Sequence, residues 1–222
     1  MKTYKKVKVL FLLSLILVFP IVIKAQLLPE DRNYKIGIKG GLNFSNLTVH
    51  NVDNENTRVG FNLGLSFKYK MIEHFSVQPE LIYSSKGSEL TFNRNNFFGI
   101  ARINLNYLDL PILLVYNPTP SFNVHLGPYI GFLAYTKVKT INEPSPDEPF
   151  YDLENEITGR NFRSFDTGIV AGMGVEIGIF TGGLRYNFGT TEIGQSTIVF
   201  GRPYGFSGAR NRLAQIYVGV AF

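Results

Sequence analysis

The 222-residue chain has no cysteine and no tryptophan. Without Cys there is no disulfide framework, no thiolate metal site, no Cys nucleophile and no lipid-modified N-terminal Cys. Charge is sparse, at 18% of residues, and acids are missing altogether from residues 1–25. Five of the 22 basic residues (Lys2, Lys5, Lys6, Lys8 and Lys24) lie in that stretch, so 17 remain to meet the 17 acids beyond it. The pI near 9.3 is therefore a property of the leader, and the body is neutral. A neutral body with no basic run interleaved with aromatics gives no footprint for DNA or RNA. Nucleic acid is excluded as a partner.

The leader has a clear order. Lysines at 2–8 precede an apolar run from Val9 to Ile23, and small Ala25 then meets Gln26. This is the arrangement of a secretory signal peptide. An uncleaved anchor is disfavoured by the short run, by Pro20 near its end and by Lys24 beside the small residue. The expectation is a signal peptide over 1–25 and one exported domain over 26–222.

No helical period persists beyond the leader. Two-residue alternation recurs instead, which is the period of a strand with two different faces. Ile36, Ile38, Leu42 and Phe44 oppose Lys35, Gly37, Lys39, Gly41 and Asn43. Val59 to Tyr69 alternates with Gly60, Asn62, Gly64, Ser66 and Lys68, and Phe75 to Tyr83 with Ser76, Gln78, Glu80 and Ser84. Leu108 to Tyr116 carries Asp109 on its second face; Phe122 to Phe132 carries Asn123, His125, Gly127, Tyr129 and Gly131. Ile169 to Ile177 alternates with Gly168, Gly172, Gly174 and Glu176, and Leu184 to Phe188 with Gly183, Arg185 and Asn187. Ala214 to Phe222 alternates with Gln215, Tyr217, Gly219 and Ala221. Eight strands result, each near the roughly 9–11 residues that cross a bilayer when tilted.

The connectors alternate in length. Lys70–His74, Asn117–Ser121 and Gly178–Thr181 read as tight turns; Ser45–Arg58, Ser85–Arg102, Lys137–Phe162 and Gly189–Asn211 read as long polar loops. Short turns at one end and long loops at the other mark an outer-membrane barrel. Aromatics gather at both ends of the apolar faces: Tyr69, Phe75, Tyr116, Phe122 and Phe222 at the turn end, Phe44, Phe61, Tyr83, Phe132 and Phe188 at the loop end. Such rings suit headgroup depth. The expected fold is all-β, an eight-stranded antiparallel up-and-down transmembrane barrel with both termini periplasmic. A soluble lipocalin-like binder also uses eight strands, but it would need the apolar face inside.

Ordered motifs reinforce this. They are Gly37-Ile38-Lys39-Gly40-Gly41-Leu42-Asn43-Phe44-Ser45, Gln78-Pro79-Glu80-Leu81-Ile82-Tyr83-Ser84-Ser85-Lys86-Gly87 and Tyr107-Leu108-Asp109-Leu110-Pro111-Ile112-Leu113-Leu114. Gly127-Pro128-Tyr129-Ile130-Gly131, Asp166-Thr167-Gly168, Ala171-Gly172-Met173-Gly174-Val175-Glu176 and Arg185-Tyr186-Asn187 complete the set. Over nearly the whole mature chain they resemble the PorT-type "porin family" outer-membrane β-barrel proteins, those with an outer membrane protein beta-barrel domain. The resemblance implies an eight-stranded barrel in the cell outer membrane of a Gram-negative envelope and no single biochemical activity. PorT itself is associated with protein secretion, a role that barrel motifs alone do not transfer.

Candidate chemistry is thin. His50, His74 and His125 have no metal-ligand spacing. His50 with Asp53 is the one local pair suggestive of a barrel hydrolase, and two residues on a loop make a poor triad. The loop at 137–162 carries Glu143, Asp147, Glu148, Asp152, Glu154 and Glu156, without the spacing of an EF-hand. No catalytic residue, metal or cofactor is expected. The inner face does supply one candidate constellation: Lys39, Glu80, Asp109 and Arg185 fall at similar depth when counted from the turn ends, with Tyr129 and Tyr217 nearby. Their pairing across a lumen just wide enough for side chains would make a plug. The expected role is structural or surface-interacting, through loops that meet outer-membrane lipid, lipopolysaccharide, or envelope and secretion proteins. A small-solute porin is the alternative.

Overall fold

The alternating segments are strands throughout. A computed structural model describes residues 33–48, 55–94, 97–140, 163–193, 196–199, 202–205 and 210–222. The strands are β1 (Tyr34–Thr48), β2 (Glu55–Ile72), β3 (Phe75–Arg94), β4 (Phe97–Thr119), β5 (Phe122–Thr140), β6 (Phe165–Ile177), β7 (Phe180–Gly189), β8 (Ser196–Val199), β9 (Arg202–Gly205) and β10 (Arg210–Ala221). Eight of them close a barrel in the order β1-β10-β7-β6-β5-β4-β3-β2, while β8 and β9 form a separate hairpin. Every barrel pairing is antiparallel. Closure comes from β1 against β10, running from Gly37↔Ala221 to Thr48↔Arg210. Two backbone bonds of 2.9 Å between Ile36 and Phe222 finish that seam at the turn end.

The radial distribution of side chains is the reverse of a water-soluble fold. Val218, Ile177 and Phe180 are 68%, 69% and 65% exposed, and Leu63, Ile112, Leu126 and Leu184 likewise face outward. Lys39, Asn43, Glu80, Asp109, Asp166, Arg185 and Gln215 are buried inside. Each large apolar side chain left in water forfeits about 1.5–3 kcal/mol of burial. A continuous outer band of them is stable only against hydrocarbon. Ring pairs flank it, with Tyr34–Phe67 at 5.8 Å and Phe75–Tyr116 at 5.0 Å toward the turns, and Phe61–Tyr83 at 5.8 Å and Phe132–Phe165 at 6.4 Å toward the loops.

Strand lengths depart from the sequence expectation. They run from 10 residues in β7 to 23 in β4. The segment expected as a loop over Ser85–Arg102 is instead a paired ribbon, with β3 and β4 in register out to Arg94↔Phe97. β5 likewise continues to Thr140, and the expected loop Gly189–Asn211 contains the β8–β9 hairpin. Glycine, serine and asparagine through Ser85–Arg102 read as loop in the sequence, whereas backbone pairing between the two strands makes it a ribbon. The tight turns are placed as expected, at Glu73-His74, Pro120-Ser121 and Gly178-Ile179, between the ends of successive strands. The leader at 1–25, His50, Asp53 and the acidic residues from Glu143 to Glu156 lie outside the described residues.

Candidate functional site in the barrel lumen

Strand parity turns Lys39 of β1, Glu80 of β3 and Arg185 of β7 inward, and the barrel is narrow enough for them to meet. Lys39 Nζ donates to Glu80 Oε1 at 2.5 Å. Arg185 grips both carboxylate oxygens, Nη1 to Oε2 at 2.7 Å and Nη2 to Oε1 at 3.3 Å. Gln78 Nε2 adds a third donor to Oε1 at 2.6 Å. The Tyr217 ring backs both cations, 5.0 Å from Lys39 Nζ and 4.6 Å from Arg185 Cζ. Side-chain exposure is 0% for Glu80, 2% for Arg185 and 4% for Lys39. The carboxylate is saturated with charge-assisted donors, the condition under which a buried charge is tolerated.

A neutral amide layer lies beyond this triad. Asn43 Oδ1 accepts from Asn62 Nδ2 at 2.7 Å and Gln215 Nε2 at 2.8 Å, while Asn43 Nδ2 donates to Ser84 Oγ at 3.0 Å. Next comes a second triad of opposite composition. Lys86 Nζ lies 2.9 Å from Asp109 Oδ1 and 3.6 Å from Asp166 Oδ2. Tyr129 Oη and Asn211 Nδ2 donate to Asp166 Oδ2 at 2.9 and 2.8 Å. The rings of Tyr107 and Tyr129 face Lys86 Nζ at 4.8 and 5.0 Å. Two cations share one anion in the first layer and two anions share one cation in the second.

Of the four expected lumen residues, three come together and the fourth does not join them. Asp109 pairs with Ile82, not with Glu80, as its β3 neighbour. It therefore sits two residues farther from the turns, roughly 6–7 Å along the strand. There it meets Lys86 and, through it, Asp166. Lys86 hides in the Ser85-Lys86-Gly87-Ser88 run, which reads as loop, and Asp166 near the very start of a strand. A bulge between Thr57 and Asn62 of β2 reshapes this part of the wall, and Gly87 takes a φ of 145°, a value that favours glycine. Ser84, Ser85, Lys86 and Gly87 are all buried there. Inward parity of Lys86, shared with Glu80 and Ser84, was the signal available in the sequence.

Inward glycines make the space these side chains occupy. A Cβ on Gly172 would stand 2.5 Å from His125 Nε2, and on Gly174 or Gly183 it would stand 2.8 or 2.6 Å from Tyr217 Oη. His125 is buried with Nδ1 3.1 Å from Asn123 Oδ1. His74 is an exposed turn residue with Nδ1 3.0 Å from the Asn117 carbonyl oxygen. At the turn end Glu176 takes Lys68 at 2.5 Å, Asn123 at 3.1 Å and Lys35 at 3.6 Å. The cleft beside it, reaching Lys39 and Tyr217, encloses about 20 Å³, close to the room one water needs.

An apolar girdle outside and paired charges inside, on a closed set of eight antiparallel strands, define an integral outer-membrane β-barrel protein. The chain belongs to the outer membrane protein beta-barrel domain family, whose model matches residues 24–194. Among solved structures it is similar to Ail, the attachment invasion locus protein of Yersinia pestis, at 12% identity over 86% of this chain and 100% of that one, with a TM-score of 0.46. It is also similar to OprG from Pseudomonas aeruginosa (12% identity, 85% and 95% of the two chains, TM-score 0.43). A third is Neisserial surface protein A (12%, 86% and 96%, 0.39). No curated protein matches the chain.

Proposed function

We propose that this protein is a closed, non-conducting outer-membrane barrel, with a non-enzymatic structural or surface-interaction role carried by its long-loop end. The observation that carries this reading is the lumen. Two ion triads and an amide layer of almost wholly buried side chains lie across it, and the turn-end cleft has room for about one water. Glu80, held by Lys39, Gln78 and Arg185, stands in the way of a hydrated ion path on this reading. Purified protein in planar bilayers is expected to give no steady single-channel steps. Reproducible steps in the wild-type protein would replace this reading with the small-solute porin.

The same reading places the long loops outside the cell. Tags inserted near Asn54 or Pro146 are expected to be labelled on intact cells, and one near Pro118 only after the envelope is opened. The reverse pattern would invert the barrel. At the loop end Arg212 lies over the outward Phe188 ring, with Cζ 5.6 Å from its centroid, and Arg163 and Arg210 are exposed. Cations beside an aromatic girdle suit the phosphates of anionic lipid and lipopolysaccharide. Among the described residues no feature favours the secretion role of PorT-type proteins over this one.

A further inference from the structure

The Gln78-Pro79-Glu80, Leu110-Pro111-Ile112 and Gly127-Pro128-Tyr129 motifs each put a proline inside a barrel strand, and each coincides with a break in the hydrogen-bonded ladder. The β2–β3 pairing passes from Ser66↔Glu80 to Tyr69↔Val77, skipping Pro79. The β3–β4 pairing passes from Pro79↔Ile112 to Ile82↔Asp109, skipping Pro111. The β4–β5 pairing passes from Pro111↔Tyr129 to Leu114↔Leu126, skipping Pro128. Register is the same on both sides of every break, so no bulge causes them. Proline has no N–H to give. By register, the carbonyls of Phe67, Glu80 and Ile112 are the ones that lose a donor, and Phe67, Pro79, Ile112 and Pro128 follow one another across the wall.

The other five pairings, β1–β2, β1–β10, β10–β7, β6–β7 and β5–β6, run without interruption. The barrel therefore has a side whose ladders run unbroken and a side whose three adjacent seams, beside their bulges elsewhere, share a break at one common depth. Glu80 stands at that depth on the weakened side, its own carbonyl among the three. Its carboxylate is held across the lumen by Lys39 of β1 and Arg185 of β7, which flank β10 on the bonded side. Among the described residues, this transverse triad is the charged tie that joins β3 to β1 and β7 at this level.

We propose that the proline row makes β3–β5 a compliant sector of the barrel wall, and that Glu80, gripped by Lys39 and Arg185, is the latch that keeps the sector closed. The inference rests on the closed-lumen reading; a conducting wild-type barrel would sink that reading by itself, whereas the exchange pattern below tests the latch. Backbone hydrogen exchange is measured on protein refolded into phospholipid nanodiscs. In the wild type, peptides at 64–70, 77–82, 109–114 and 126–130 are expected to exchange about tenfold faster than peptides of β1, β7 and β10 at matching depth, the effect of about one hydrogen bond.

Glu80→Gln should accelerate exchange further in those peptides and leave β10 protected. Pro79→Val and Pro128→Val, both on the lipid face, should each slow exchange locally by about tenfold by restoring a donor. These two variants keep the triad, so they decide the matter even if Glu80→Gln does not refold. Equal rates around the wild-type wall, valine variants that slow nothing, or a Glu80→Gln effect spread evenly over all strands would overturn the proposal.

Discussion

Glu80→Gln is expected to lower the unfolding free energy by about 3–5 kcal/mol, the usual cost of stripping one partner from a dry ion pair. The reason lies in what remains. Lys39 and Arg185 would face each other at 4% and 2% side-chain exposure with no anion between them, and Tyr217 can satisfy only the faces turned to its ring. Urea unfolding of protein refolded into lipid vesicles measures the loss. The triple change Lys39→Met, Glu80→Leu and Arg185→Met should recover most of it, because apolar replacement of a whole buried cluster is often neutral or better. A Glu80→Gln loss below about 1 kcal/mol would mean that water reaches the layer and that the plug is wet.

Leu184→Arg is expected to cost about 2–4 kcal/mol in the same assay, the range for a cation on the lipid face near mid-membrane. Leu184 lies mid-strand on β7, 54% exposed, between Met173 and Ile216 on its two neighbours. All three side chains point to the hydrocarbon, so the guanidinium finds no counter-ion within reach. Lys70→Ala at the exposed turn end is the control, with a change inside about 0.5 kcal/mol. If Leu184→Arg were as mild as the control, that face would be touching water, and the barrel would be oriented or located differently.

The faces of all eight strands were legible because lipid outside and charge inside leave a strict two-residue pattern. Ile36, Ile38, Leu42 and Phe44 against Lys39 and Asn43 needed no tertiary information. Depth was less legible. Counting from the turns puts Asp109 at a depth similar to Glu80, but β3 and β4 pair from Phe75↔Tyr116, so Glu80 lies five residues and Asp109 seven residues from that end. Staggering between tilted strands compounds such an error. Lys86 was hidden for another reason. The polar run from Ser85 to Ser88 looks like loop to any propensity argument, and only pairing with Ile103–Asn106 across the ribbon makes it strand. Asp166 is the second residue of β6 and has too little alternation before it to reveal a face. The second triad was thus out of reach of periodicity, which sees neighbours along one strand and not across the lumen.

The closing seam has a consequence for assembly. Ile36 and Phe222 are bonded to each other, so the last pairing to become possible joins the first and last strands of the barrel. Until β10 arrives, β1 and β7 are free edges, and neither edge can be left unpaired in hydrocarbon. A partly made barrel therefore has no stable resting place within the bilayer. Insertion must be concerted with closure, or be escorted by something that lends the growing sheet a temporary edge.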